Sequence, residues 1–370
     1  LPTLILSGPS GMAVTGGRPK SSPVVAYWPA LIRREAVEPF LRNLFRDPCI
    51  LPVPRLLTPL LSRLIARRRA PFVRERYAMI SPDSSTPQLR TTIDQAAATA
   101  QRLRARGLDV ADGVAMRYWH PFPEPTVREL LAAGAGQCLV VPAYPQYACA
   151  TTGSTLKFVR DAIDALAPGA AVFDVHDWHL LPGYVEALAE PAAAAVRRWS
   201  TVGVDPGDCA LLYVAHSLPE KFVRQGDPYE AQVRATVDAV HERVAGSLTD
   251  DAERTFLAGL RSGPAPALTY QSKVGPIKWL GPEITAEIER LAAAGARRVF
   301  VQPISFTCEH VETLHELDIE LKEDIAAFGI EDFARGPALN GHEGWLESLA
   351  AHLVHTVFAA PETREVSADA

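Results

Sequence analysis

A histidine at the end of an apolar run is the first residue in this sequence that could do chemistry. Leu211-Leu212-Tyr213-Val214-Ala215 leads into His216-Ser217-Leu218-Pro219, and in an open α/β sheet ligands bind at the carboxyl ends of strands. A second run, Val299-Phe300-Val301-Gln302-Pro303, ends shortly before a stretch rich in carboxylates and imidazoles. There Glu309, Glu312, Glu316, Glu320 and Glu323 follow spacings of three, four, four and three, which an α-helix turns into one stripe. Like charges so placed cost about 0.2–0.5 kcal/mol per pair unless something compensates. The helix dipole does so only in the first turn, at Glu309 and Glu312. Glu320 and Glu323 therefore read as a solvated face. Glu309, Glu312 and Glu316, beside His310 and His315, read as a path for protons or cations. Nitrogen and oxygen donors without thiolate suit a loosely held divalent metal of intermediate softness. Glu312 could also set the protonation of a facing imidazole.

Aromatic and cationic side chains supply a second kind of surface. Arg117-Tyr118, Tyr144, Tyr147, Trp178, Tyr270 and Trp279 lie at or just beyond expected strand ends. Together with Arg68 and Arg69 they would suit a large flat ligand that carries carboxylates.

The elements that position these residues alternate. Strands are expected at 24–27, 113–118, 138–142, 171–174, 210–215, 267–271 and 299–302, with helices between them, which implies parallel sheets. Two βαβα halves of similar length give two doubly wound lobes with a cleft between them, at 23–170 and 171–360. Residues 1–22 read as a flexible leader and 361–370 as a polar tail. Leu4-Ile5-Leu6-Ser7-Gly8-Pro9-Ser10-Gly11 opens like a phosphate-binding loop, but Met12-Ala13-Val14 stands where Gly-Lys-Ser/Thr is required, so no nucleotide site follows. In 51–69, Leu56, Leu57, Leu60, Leu61, Leu64 and Ile65 recur at helical spacing beside five arginines. This is either a core-facing helix or an amphipathic lip for a membrane surface or a greasy, acidic ligand.

Composition narrows the class. With 370 residues, 48% of them hydrophobic, the chain can bury a sizeable core. A net charge of −6 argues against a general nucleic-acid binder. The five cysteines, at 49, 138, 149, 209 and 308, form no CxxC pair, which fits a reducing compartment. No apolar run reaches the roughly 18 residues of a membrane span, and residues 1–22 lack the pattern of a signal peptide. The expected location is the cytoplasm, with peripheral membrane contact through 51–69 as one reading.

Longer motifs carry a resemblance to a known family. Ala215-His216-Ser217-Leu218-Pro219 with Gly226-Asp227-Pro228-Tyr229, and Gln271-Ser272-Lys273-Val274-Gly275-Pro276 with Trp279-Leu280-Gly281-Pro282, are the most specific. Pro303-Ile304-Ser305-Phe306-Thr307 running on to His310-Val311-Glu312-Thr313-Leu314-His315-Glu316-Leu317-Asp318 is equally telling. Arg117-Tyr118, Tyr144-Pro145-Gln146-Tyr147 and Thr151-Thr152-Gly153-Ser154 match as well. From about residue 35 to 357 the chain resembles the ferrochelatases, which insert ferrous iron into a porphyrin in haem synthesis.

The resemblance implies an α/β protein of two flavodoxin-like (chelatase-like) lobes, each a parallel sheet flanked by helices. It implies a lyase that makes protohaem from protoporphyrin IX. His216 and Glu312 would be the catalytic and metal-handling pair, facing each other across the ring centre, with Glu309, His310 and Glu316 extending a proton or metal path. Arg69, Tyr77, Arg117, Tyr118, Tyr270, Trp279 and Phe306 would line the porphyrin pocket. Two pyrrole protons leave as a dication enters, so a base is required near the ring nitrogens, and imidazole ordinarily titrates near neutrality. Iron is then a substrate, and no permanent cofactor is expected. Some members hold a 2Fe-2S cluster; Cys149 matches one of its ligands, but no cysteine follows Cys308, so none of that type is expected here.

Two family signatures are altered. Trp28-Pro29-Ala30-Leu31 replaces Asn-x-Gly-Gly-Pro, and Ile80-Ser81-Pro82-Asp83-Ser84-Ser85-Thr86-Pro87 replaces Ile-Gly-Gly-Gly-Ser-Pro. Glycines at such places let the backbone approach a ligand. Alternatives are therefore a weakened porphyrin- or haem-binding protein on the same fold, a coproporphyrin III ferrochelatase, or a cobalt chelatase of the related sirohydrochlorin class.

Overall fold

The computed structural model describes residues 2–8, 36–47, 50, 53–54, 56–81, 86–273 and 277–358. In chain order the first lobe contains β1 (Pro2–Gly8), α1 (Val37–Leu44), α2 (Thr58–Ile80), α3 (Gln88–Ala105), β2 (Ala111–Met116), α4 (Pro123–Ala132), β3 (Gln137–Pro142), α5 (Ser154–Leu166) and β4 (Ala171–Asp174). The second contains α6 (Pro182–Val202), β5 (Cys209–His216), α7 (Glu220–Arg224), α8 (Tyr229–Ser247), α9 (Asp251–Ala258), β6 (Ala267–Gln271), α10 (Ile284–Ala293) and β7 (Arg298–Pro303). It continues through α11 (Val311–Leu314), α12 (Lys322–Ala326), β8 (Asp332–Arg335) and α13 (Glu343–Phe358).

Each lobe is built on a four-stranded sheet, ordered β2-β1-β3-β4 and β6-β5-β7-β8. The second sheet is parallel throughout. Its central strand β5 is buried on both faces, as the middle of a parallel sheet requires. Ala210, Leu212 and Val214 pack on one side with Ile288 and Leu321, while Leu211, Tyr213 and Ala215 join the large core on the other. In the first sheet β3 and β4 are parallel.

Three expectations change. The leader is not flexible over 2–8: β1 sits inside the first sheet, antiparallel to both β2 and β3, so its backbone donors and acceptors are paired on both edges. The lobe boundary at 170/171 would cut a sheet, because β4 pairs with β3; the division falls between β4 and α6. The edge strand β8 was not expected, since Asp332-Phe333-Ala334-Arg335 has no apolar run to announce it. The strand expected at 24–27 and both altered signature segments, apart from Ile80, Ser81, Thr86 and Pro87, lie outside the described residues.

The lobes are joined by helices as well as by chain. α13 packs on α6 and also on α3 of the first lobe. α6 and α13 approach so closely that a Cβ on Gly183 would overlap the Gly344 carbonyl.

The 51–69 region separates its two readings. α2 turns Ser62, Ala66, Ala70 and Tyr77 inward against Val37, Leu41 and Phe45, the α1 face and the residue beyond it. Small residues on that face let the helices approach, and the leucines are left outside. Leu56 is 94% exposed, Leu60 70% and Leu64 60%. The core-facing reading fails for these three.

Candidate active site

Three strand ends and one short turn build the site. β5 delivers His216, whose Nδ1 lies 2.7 Å from Ser217 O. Ser217 is fixed in turn to β6, where its N–H donates to Gln271 O at 2.9 Å, and its hydroxyl donates to Leu280 O at 2.9 Å. The Tyr229 hydroxyl at the start of α8 donates to His216 O at 2.8 Å and lies 3.2 Å from Ser305 Oγ beyond β7. Backbone and ring of His216 are thus held from several sides, with Nε2 left facing Glu312 Oε1 at 3.8 Å.

Glu312 stands in the single turn of α11. His310 caps that turn, its N–H donating to Thr313 Oγ1 at 3.0 Å. The buried His310 ring packs edge-on against Phe306, centroids 4.3 Å apart, and its Nε2 meets Glu312 Oε2 at 3.0 Å. One carboxylate therefore lies between two imidazoles. Burial opposes its ionisation, but His216 and the hydrogen bond and charge of His310 outweigh that and bring the carboxyl from 4.5 to about 2. Gln271 Nε2 donates both to Glu312 O at 2.8 Å and to Glu316 Oε2 at 3.1 Å. Ser272, in the left-handed region at φ 66°, donates its hydroxyl to the same Glu316 oxygen. Burial, with the Glu312 charge next, raises the Glu316 carboxyl above its ordinary value. Adjacent carboxylates with opposite shifts are the pattern of groups that can hold and pass protons.

The acidic stretch is not one α-helix. After α11 the chain runs as a π-helix over Glu316–Leu321, with Glu320 N–H donating to His315 O, five residues back, at 2.9 Å. Such wide turns recur at functional sites. Glu312, Glu316, Glu320 and Glu323 all line the cavity, but Glu309 does not. It accepts from Arg335 at 3.0 Å and from the Ala338 N–H at 2.9 Å. Burial opposes its ionisation, and Arg335 and its hydrogen bonds still bring its pKa below the ordinary range. Glu309 is therefore a structural anchor and leaves the expected path. Glu320 is not merely solvated, since Arg76 Nη2 lies 2.7 Å away and His315 Nδ1 3.4 Å away.

These groups form one wall of a cavity of about 1770 Å³ between the lobes, above the roughly 300–1,000 Å³ of ordinary ligand sites. His216, His310, Glu312, Glu316, Trp279 and Phe306 come from the second lobe; Arg69, Tyr77 and Tyr118 come from the first. Two expected pocket residues are elsewhere. Arg117 is held by Asp47 at 2.5 Å and sits over the rings of Tyr118 and Phe158. Tyr270 is fully buried in β6, and burial pushes its hydroxyl up to about 12. Asp47, Tyr229 and Arg76 went unnoticed as partners in the sequence. Tyr229 stands in the Gly226-Asp227-Pro228-Tyr229 motif, and Arg76 follows Arg69 by two helical turns. Among the described residues no group of three or more His, Cys, Asp or Glu is arranged to hold a metal ion.

Two α/β lobes enclosing a large cleft, with an imidazole and an ionised carboxylate on one wall and aromatic rings around it, define a chelatase-type protein. The family model described as "Ferrochelatase" matches residues 29–357. A ferrochelatase of Gloeobacter violaceus is 37% identical over 331 residues, covering 88% of this chain and 94% of that protein. One of Synechococcus sp. strain JA-3-3Ab is 38% identical over 334 residues, 88% and 90% of the two chains, and one of Hyphomonas neptunium is 36% identical over 320 residues, 86% and 82%. The chain belongs to the ferrochelatase family, enzymes that insert iron into a porphyrin.

Proposed function

We propose that the protein inserts ferrous iron into protoporphyrin IX to form protohaem, with His216 as the proton acceptor and Glu312 as its charge partner. The observation that carries the reading is the His216–Glu312–His310 chain on the cavity wall. Ser217 O accepts from Nδ1, so in a neutral ring the lone pair lies on Nε2, which faces Glu312 on the cavity wall. Nε2 can then take a pyrrole proton, and the carboxylate 3.8 Å away stabilises the imidazolium that results. Two protons must leave for each ferrous ion that enters. Glu316, its carboxyl raised by burial and held by Gln271 and Ser272, is suited to receive the second. Iron passes through as substrate. Among the described residues Cys138, Cys209 and Cys308 are buried free thiols and Cys149 is an exposed one; no resident iron–sulfur cluster and a cytoplasmic setting are part of the proposal.

The lip supports the choice of porphyrin. Leu56, Leu60 and Leu64 on and before α2 expose apolar surface beside the cleft residues Ile65 and Arg69. Such a mouth favours a ring with two carboxylates over one with four, and it gives a surface for peripheral contact with a membrane. Among the described residues no helix is long and apolar enough to cross one. The test is anaerobic turnover with ferrous iron and either protoporphyrin IX or coproporphyrin III, followed by haem absorbance. The expected result is catalytic haem formation from protoporphyrin at the higher kcat/KM. Preference for coproporphyrin overturns the substrate choice, and tight ring binding with no turnover overturns the enzyme.

A further inference from the structure

The segment from β7 to α11 leads to His310 and Glu312 on the second-lobe wall, yet a first-lobe side chain holds it. Gln95 on α3 is 5% exposed, and its Nε2 donates to Thr307 O and to Asn340 O, each at 2.8 Å. These carbonyls lie 212 and 245 residues further along the chain. The knot continues through Asn340, whose N–H donates to Thr307 O at 2.9 Å and whose Oδ1 accepts from the Glu309 N–H at 3.0 Å. Asn340 sits in the left-handed region, at φ 43°, which asparagine tolerates better than most residues. The Glu309 carboxylate is fixed in turn by Arg335 and the Ala338 N–H, and His310 follows directly. At the other end of the segment support is redundant. Ile304 O accepts from the Tyr184 hydroxyl and lies 3.3 Å from Gln146 Nε2.

Packing alone does not call for an amide here. α3 also turns Leu89, Ala96, Ala100 and Leu103 into the core, so an apolar side chain would suit the same face. A buried amide is unfavourable unless its donors are used, and both Gln95 hydrogens are used on the opposite lobe. We propose that Gln95 is a positioning residue for the reaction: by fixing Thr307 O and Asn340 O it sets the place from which His310 and Glu312 face His216. Gln95 does not line the cavity, so it acts through these residues and touches no substrate. The tolerance is narrow. Glu312 lies 3.8 Å from one imidazole and 3.0 Å from the other, and a misplacement of about 1 Å, caused far from the chemistry, can lower a rate about a hundredfold. That the reaction served is iron insertion rests on the function proposed above; the placement of the segment does not.

The experiment compares Q95M with T99V in the full chain. Thr99 is fully buried one turn further along the same face, but its hydroxyl donates to Gln95 O within its own helix, at 2.8 Å. Q95M keeps the side-chain length and removes both donors. It is expected to lower kcat for anaerobic haem formation by about ten- to a hundredfold while the protoporphyrin KM stays within about twofold of wild type. T99V should keep the wild-type kcat. N340G keeps the left-handed backbone but loses the bond to the Glu309 N–H, so its kcat should fall as well. Q95M/N340G should lose less than the product of the two single losses, because both act on one segment. Amide hydrogen exchange over residues 305–315 should speed up in Q95M and not in T99V. Q95E, which sets a carboxylate against two carbonyls, must lose at least as much kcat as Q95M and keeps the test open if Q95M folds poorly. Wild-type kcat in folded Q95M or Q95E overturns the proposal, as does an equal loss in T99V or a rise in KM that accounts for the whole effect. If the wild type forms no haem, the proposed function fails and exchange decides this inference: an unchanged rate over 305–315 in Q95M overturns it.

Discussion

The two walls of the cleft are built on different principles. The second-lobe wall is polar chemistry carried by strand ends: His216 on β5, Gln271 on β6, and beyond β7 the His310–Glu312 turn, each tied to a neighbour by hydrogen bonds. The first-lobe wall sets a pair of helices, α1 and α2, packed through small residues with leucines turned outward, beside residues that follow β2 and β3, Tyr118 and Tyr144 among them. A buried ionic knot, Asp47 with Arg117 and the Tyr118 hydroxyl, holds the wall together without lining the cavity through its arginine. Reactive groups on rigid elements are held to the tolerance that proton transfer requires. A wall that admits a large ring can be apolar and tolerant. Substitutions on the first wall should therefore act on binding and stability, and those on the second on turnover.

Four substitutions could break that division. E312Q should have the largest effect, lowering kcat by about 10²–10⁴ with little change in ring affinity, as expected when a proton-handling partner is lost. It should also change acid stability. The folded Glu312 carboxyl is depressed from 4.5 to about 2, so its stabilising contribution is complete above 4.5 and disappears as pH falls to 2. E312Q should therefore lose less stability than wild type between those values, measured by urea unfolding at stepped pH. D47A should come next, destabilising the fold by about 3–5 kcal/mol because Arg117 is left buried and unpaired. If D47A unfolds no more readily than wild type, the knot does not hold the first wall. A66L, which overfills the α1–α2 contact, should cost about 1–3 kcal/mol in the same measurement. L64S should be smallest, within about 0.5 kcal/mol in stability, and its effect should fall on porphyrin KM while kcat is kept. A fall in kcat alone would contradict the division.

The second wall was more legible in the sequence than the first, for physical reasons. β5 and β7 are apolar runs because central parallel strands are buried on both faces, and the functional residues follow directly on their ends. β8 was not legible because an edge strand of four half-buried residues carries no such pattern. The π-turn after His315 left no sign, since hydrogen bonds five residues apart do not change composition. Arg117 and Glu309 have the chemistry and position of site residues, but partners far along the chain, Asp47 and Arg335, claim them. The leucines of α2 were ambiguous because periodicity marks an apolar face without saying what covers it. Only the small residues opposite, packed on α1, show that the face is left open.

The central claim is that His216 is the proton acceptor on a wall that does not itself determine ring binding. It is tested most directly by comparing wild type and H216A for anaerobic haem formation and for protoporphyrin binding by fluorescence quenching in one preparation. Turnover should fall by about 10²–10⁴ while the protoporphyrin Kd stays close to wild type. Turnover that survives in H216A, or is lost only in proportion to ring binding, would contradict the account.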